Sequence, residues 1–229
     1  MFKSIFIAGA LALLTFASST LPAFAAAGTA TNAVVVAVKP AVLSQAEAKA
    51  LQYMREEEKL AHDVYVTLYG EWGLRVFSNI AASEQQHTDA VATLLARYGV
   101  SDPTTGKAAG EFTDPTLQGL YDELIAQGSV SAIDALRVGA LIEEVDILDL
   151  QERMAATENA DILRVFANLL KGSQNHLRAF AATWENQTGE TYAPQQLDQA
   201  EYERIAGAAS RSGSANRGSG RSGRNGGRP

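Results

Sequence analysis

The chain has no cysteine in 229 residues. That excludes a disulfide framework, a zinc–thiolate site, an iron–sulfur cluster and a cysteine nucleophile. It also excludes an attached rubredoxin-like electron-transfer domain. Three histidines in all exclude a His-rich metal tract. Charge is scarce at both ends. Lys3 and Lys39 are the only charges before Glu47, and Ser210 to Pro229 carries five arginines and no acid. The formal charge of −7 therefore hides a far more acidic middle. Such a body disfavours nucleic acid as the main partner and suits cations. No Asn-Gly or Asp-Gly turn lies between alternating apolar runs, so no strand signal competes with helix. What remains is 46% hydrophobic and 20% charged, with mean hydropathy near zero (−0.07), enough for one core-bearing domain with appendages.

The ends read as appendages. Residues 1–25 have the form of a secretory signal peptide: Lys3 in a short basic start, an apolar stretch from Ile5 to Phe16, and Ala23-Phe24-Ala25 as the small-x-small cleavage pattern. The apolar stretch falls short of the roughly 20 residues a bilayer span needs. The mature protein is therefore expected to be exported, periplasmic or secreted, and a lack of free thiols suits an oxidising compartment. Residues 26–43 read as a linker. Residues 208–229 read as a disordered Gly/Ser/Arg-rich tail, with nothing large to bury. An arm for RNA, anionic lipid or cell-wall polymer is the functional alternative. A solvated tail is favoured over it, because no aromatic residue is interleaved to stack on bases.

Residues 44–207 form the expected domain. Helical spacing predicts helix one over Ser44 to Tyr69, with Ser44 and Glu47 as a capping box and Gly70 and Gly73 as its stop. Helix two is predicted over Arg75 to Tyr98, helix three over Val130 to Ala156 and helix four over Ala160 to Gln187. A short helix is predicted at Pro115 to Gln127 in the long connection, and Pro194 to Gly207 is read as a short packing helix. Two helical hairpins joined by one long crossover between helices two and three give an all-α, four-helix bundle of ferritin-like connectivity.

Each apolar stripe is interrupted near its middle. On helix one Glu58 sits between Met54, Ala61 and Tyr65. On helix two Ile80, Glu84, His87 and Val91 share a face. On helix three Glu143 sits between Ala140 and Ile147, with Asp146 three residues on. On helix four His176 lies between Leu169 and Phe180. A carboxylate in a bundle core is costly unless paired, protonated or metal-bound. Several neighbours are given ordinary roles. His62 lies about 40° off Glu58 at helical pitch and is placed at the surface or behind the ligands. Glu56, Glu57 and Glu144 are expected to face solvent or to support the ligands from behind. Glu57 replaces Glu58 if the register slips by one. Tyr65 is a core tyrosine able to hydrogen-bond a ligand, and Trp72 and Trp184 are packing residues.

This pattern resembles the ferritin-like di-iron carboxylate proteins of rubrerythrin type. It does so through Glu58 with Tyr65, Glu84-x-x-His87 and Glu143 with Asp146. The stretches Met54 to Ala61, Ser83 to His87 and Gly139 to Asp146 more closely resemble the DUF2202 family, exported or archaeal proteins placed in the ferritin-like superfamily. The resemblance covers about Leu43 to Tyr202 and leaves the activity open. It implies metal ligands at Glu58, Glu84, His87, Glu143, Asp146 and His176. Ser173 stands where helix four normally carries a glutamate, and Asp146 restores the count to four carboxylates and two imidazoles. That set suits two iron ions, with manganese or zinc as alternatives. A single ion at Glu58, Glu84 and His87, or no ion, stays open. The implied activity is oxidoreductase chemistry on O2, peroxide or Fe(II), peroxidase- or ferroxidase-like. The alternative is a non-enzymatic metal-binding or cell-envelope interaction protein with a structural bundle. Expected partners are metal ions and a small oxidant. No nucleic acid is expected, and no membrane span after signal cleavage. A homodimer stays open.

Overall fold

The computed structural model describes residues 42–215, with side chains to residue 207. The expected signal peptide, nearly all of the expected linker and the end of the tail lie outside the described residues. Six helices and no strand occur among the described residues: α1 (Gln45–Trp72), α2 (Arg75–Tyr98), α3 (Pro115–Gly128), α4 (Ala132–Ala155), α5 (Ala160–Thr188) and α6 (Gln199–Ala215).

Local chemistry sets the ends. Ser44 Oγ accepts from the Glu47 amide at 3.2 Å while Glu47 Oε2 accepts from the Ser44 amide at 2.8 Å, a reciprocal cap on α1. The helix runs through Gly70 and stops only at Gly73, whose φ of +66° is the left-handed conformation glycine adopts without strain. The extra turn is anchored by Trp72, whose indole N–H donates to the Gly128 carbonyl at 2.9 Å. Asp114, Ser131 and Asn159 cap α3, α4 and α5 through side-chain oxygens. The Ser131 cap starts α4 two residues later than the apolar spacing suggests. At α6, Asp198 Oδ1 takes the Glu201 amide at 2.7 Å. That helix reaches Ala215, into the stretch read as tail.

The four long helices make the bundle. α1 packs on α2, and α4 on α5, across connections of a few residues. The crossover between α2 and α4 carries α3, which packs on α1 and α4. The charged run after Met54 holds that crossover. Arg55 Nε pairs with Asp102 at 3.0 Å, and Lys59 Nζ donates to the Ala108 carbonyl at 2.9 Å. Buried Asp63 accepts the Gly110 amide at 2.9 Å. Hydrogen bonds from His62, Lys59 and Gly110 hold the Asp63 carboxyl down against its burial.

The apolar core is in two parts. One contains Tyr65, Phe77, Leu136 and Phe180, the other Leu51, Met54, Leu94 and Phe166. Each such buried side chain stabilises by about 1.5–3 kcal/mol. The rings of Tyr65, Phe77 and Phe180 lie 5.3–6.0 Å apart. Phe180 seats directly on Gly139, where a Cβ would come within 2.4 Å of its ring. On α1, α2 and α5 the polar residues of the stripes fall, in sequence, between the two apolar parts, and on α4 Ile147 of the first part follows Asp146.

Candidate metal centre

The polar layer is built by α1, α2, α4 and α5. Glu58, Glu84, Glu143, Asp146, Ser173 and His176 are all buried. His87 Nδ1 lies 2.8 Å from Glu84 Oε2 and 3.2 Å from Glu58 Oε2. His176 Nδ1 lies 2.6 Å from Glu84 Oε1 and 3.5 Å from Glu143 Oε2. The two imidazoles stack, with centroids 5.4 Å apart and 28° between planes. Five of the six expected ligands thus form one contiguous set. The sixth, Asp146, is held from α5 by the Ser173 hydroxyl, which donates to Asp146 Oδ2.

Further groups orient the set. Tyr65 O–H donates to Glu143 Oε1 at 2.6 Å and to the Gly139 carbonyl at 3.2 Å. The second nitrogen of His176, Nε2, is hydrogen-bonded to Ser83 Oγ at 2.9 Å, which leaves Nδ1 facing the carboxylates. Ser83 was not foreseen as a site residue. The available signal was its place directly before Glu84.

Electrostatics follow from burial and crowding. Burial, then the neighbouring Asp146, pushes Glu58 well above the usual carboxylate range. Burial, then the charge of Glu143, pushes Asp146 up to about 8. Burial also raises Glu143, with Glu84 adding to it. Glu84 behaves oppositely: burial opposes its ionisation, but contacts with His176 and His87 hold it down at about 2. The carboxylates in turn outweigh burial at the imidazoles, raising His87 to about 11 and His176 to about 10. Burial, then Glu143, keeps the Tyr65 phenol protonated, as its donor role requires.

The donor set fits a cation. Glu84 Oε1 and His176 Nδ1 are 2.6 Å apart and sealed from solvent, each the other's partner. Glu58 Oε1 and Asp146 Oδ1 are sealed without a donor. Each of these two orphans costs about 1–3 kcal/mol. A cation would satisfy them. Glu84, His87 and His176 each offer a ligand atom within 4.8 Å of the others, and form a group able to hold a metal ion. Hard oxygens with imidazole nitrogens suit iron, manganese or zinc.

The expectation that Glu56, Glu57 and Glu144 face solvent or support the ligands is corrected. Glu56 is 3% exposed and accepts the backbone amides of Thr113 and Asp114, pinning the crossover. Glu144 is fully buried. It accepts the Tyr192 hydroxyl at 2.6 Å and the amides of Gln195, Gln196 and Leu197 at 2.6–2.9 Å, binding the segment before α6. Glu57 is 6% exposed, and its Oε2 meets no donor. Burial, then Asp149 and Asp146 of α4, raises its pKa well above the ordinary value. His62 is half-buried and its Nδ1 contacts Asp63 at 2.9 Å, apart from the polar layer. Trp184 packs against Tyr192, with Arg137 over its ring.

Fold and layer together define a class: an all-α bundle whose core carries side chains able to hold a metal ion. The chain belongs to the family described as "Uncharacterized protein domain (DUF2202)", which matches residues 47–209. "Uncharacterized protein MJ0754" of Methanocaldococcus jannaschii is 47% identical over 171 residues, spanning 75% of this chain and 92% of that protein. The crystal structure of hypothetical protein MJ0754 from Methanococcus jannaschii DSM 2661 is similar at a TM-score of 0.70 and 48% identity. The match covers 72% of this chain and 93% of that one.

Proposed function

We propose that the polar layer is a dinuclear metal centre held by Glu58, Glu84, His87, Glu143, Asp146 and His176, most naturally with iron. The protein that carries it is exported and acts in oxidoreductase chemistry on O2, peroxide or Fe(II). The observation that supports this reading best is the convergence of Glu84, His87 and His176, whose ligand atoms lie within 4.8 Å of one another in a buried layer. Two redox-active ions held close together supply electrons in pairs, the requirement for reducing O2 or peroxide.

The chain's own residues prepare that chemistry. Tyr65 fixes Glu143 by donation, Ser83 fixes His176 through Nε2, and Ser173 fixes Asp146. Apolar residues on both sides of the layer exclude water, which strengthens every interaction inside it. Glu58 and Glu84 keep only 1–2% of their side-chain surface exposed, whereas His87 and His176 keep 11% and 9%. A small oxidant therefore reaches the layer past the imidazole edges, between α2 and α5.

A single-ion reading, at Glu84, His87 and His176, is favoured by one observation: Asp146 Oδ2 is already engaged by Ser173. Elemental analysis of protein purified without chelator separates the two readings by one or two ions per chain. Turnover of peroxide or Fe(II) by that protein then separates an oxidoreductase from a metal-binding protein without activity.

A further inference from the structure

Gly172 lies inside α5, one residue before Ser173 and one turn before His176. Its φ is not among the positive ones, so the backbone there does not require glycine. A glycine in mid-helix weakens the helix relative to alanine. The reason for its presence is close approach. A Cβ at position 172 would fall 2.4 Å from His87 Nε2 and 2.5 Å from His87 Cε1. Contacts that short do not occur between unbonded carbon and nitrogen atoms.

The His87 ring is thus confined on three sides. Its Nε2–Cε1 edge rests on the bare backbone of α5 at Gly172. Its Nδ1 faces Glu84 and Glu58 at 2.8 and 3.2 Å. The His176 ring stacks alongside. The remaining direction is outward, where the side chain keeps its 11% exposure.

We infer that Gly172 is a positioning residue: it lets His87 sit against α5 with Nδ1, rather than Nε2, turned to the carboxylates. This rests on the reading of the layer as a metal centre and adds which nitrogen His87 presents to the ion. A methyl group at position 172 drives the ring outward and withdraws Nδ1, without removing any ligand.

The test is Gly172→Ala, made in the wild-type chain and in a His87→Ala background, with Mn(II) and Co(II) as probe ions. In the wild-type background, binding weakens at least tenfold and the Co(II) absorption spectrum changes. Helical content is retained, since alanine favours helix over glycine. In the His87→Ala background the same change leaves binding unaltered, because the ring it would displace is gone. A second readout needs no metal. The imidazole 15N signals of His87 in chelator-treated protein report the contact of its Nδ1 with Glu84 and Glu58, and they shift in Gly172→Ala. Undiminished Mn(II) and Co(II) binding with unshifted signals overturns the inference. So does an equal loss of binding in both backgrounds, or a loss of helical content. If the wild-type chain binds neither ion, the metal-centre reading fails, while shifted His87 signals still support the ring's seating on Gly172.

Discussion

At Glu56, Glu57 and Glu58 the chain carries three acids in a row, and a helix turns each about 100° from the last. All three are buried, with different neighbours. Glu58 meets His87, Glu56 holds two amides of the crossover, and one oxygen of Glu57 meets nothing. Glu58 could be read from the sequence because it interrupts an apolar stripe. The roles of Glu56 and Glu144 could not, since their partners are amides some fifty residues away, supplied by connections with no periodic signal. An unpartnered buried carboxyl is costly, and its replacement by an apolar residue of similar volume is neutral or stabilising. Glu57→Met is expected to raise stability in urea by about 1–2 kcal/mol. A loss of stability would show that Glu57 has a partner of its own.

Among the helices, α5 departs most from the pattern its resemblance implies. Ser173 stands where that resemblance implies a carboxylate, and it donates to Asp146 on α4. If Asp146 supplies the missing charge, Asp146→Asn lowers metal content to about one ion per chain or less and leaves helical content intact; retention of two ions would end that account. The same variant carries a pH signature in chelator-treated protein. Asp146 is raised to about 8 in the folded state, against about 3.9 in the unfolded chain. Between these values the folded state binds the extra proton, so this group's contribution to stability falls as pH rises from 4 toward 8. Asparagine lacks that dependence. Urea melts should therefore show Asp146→Asn gaining on the wild type between pH 5 and pH 8, and a constant difference would contradict it. The helix spans themselves were largely legible. α2 has the bounds its spacing predicts, and the ends of α1 and α4 moved because Trp72 and Ser131 act through contacts that periodicity does not record.

For the whole molecule, connectivity was the most legible property: two hairpins and one crossover follow from connection lengths alone. Among the described residues no helix is long and apolar enough to cross a membrane. Export remains the proposal carried by residues 1–25. Intact-mass measurement on exported protein should find a chain starting at or near Ala26, and a membrane-held chain retaining Met1 would refute it. Ligand protonation ties the layer to global stability. A cation that binds only the folded state raises the melting temperature by mass action. It must displace protons from His87, His176 and the raised carboxylates, so the rise should be larger at pH 7 than at pH 5. The most direct test of the central claim is metal stoichiometry by elemental analysis, comparing the wild type with the Glu84→Ala, His87→Ala double variant after identical loading with Fe(II). The account predicts two ions per chain in the wild type and loss of bound metal in the double variant, with helical content preserved. Equal metal content in both would place the cation elsewhere on the acidic surface and contradict it.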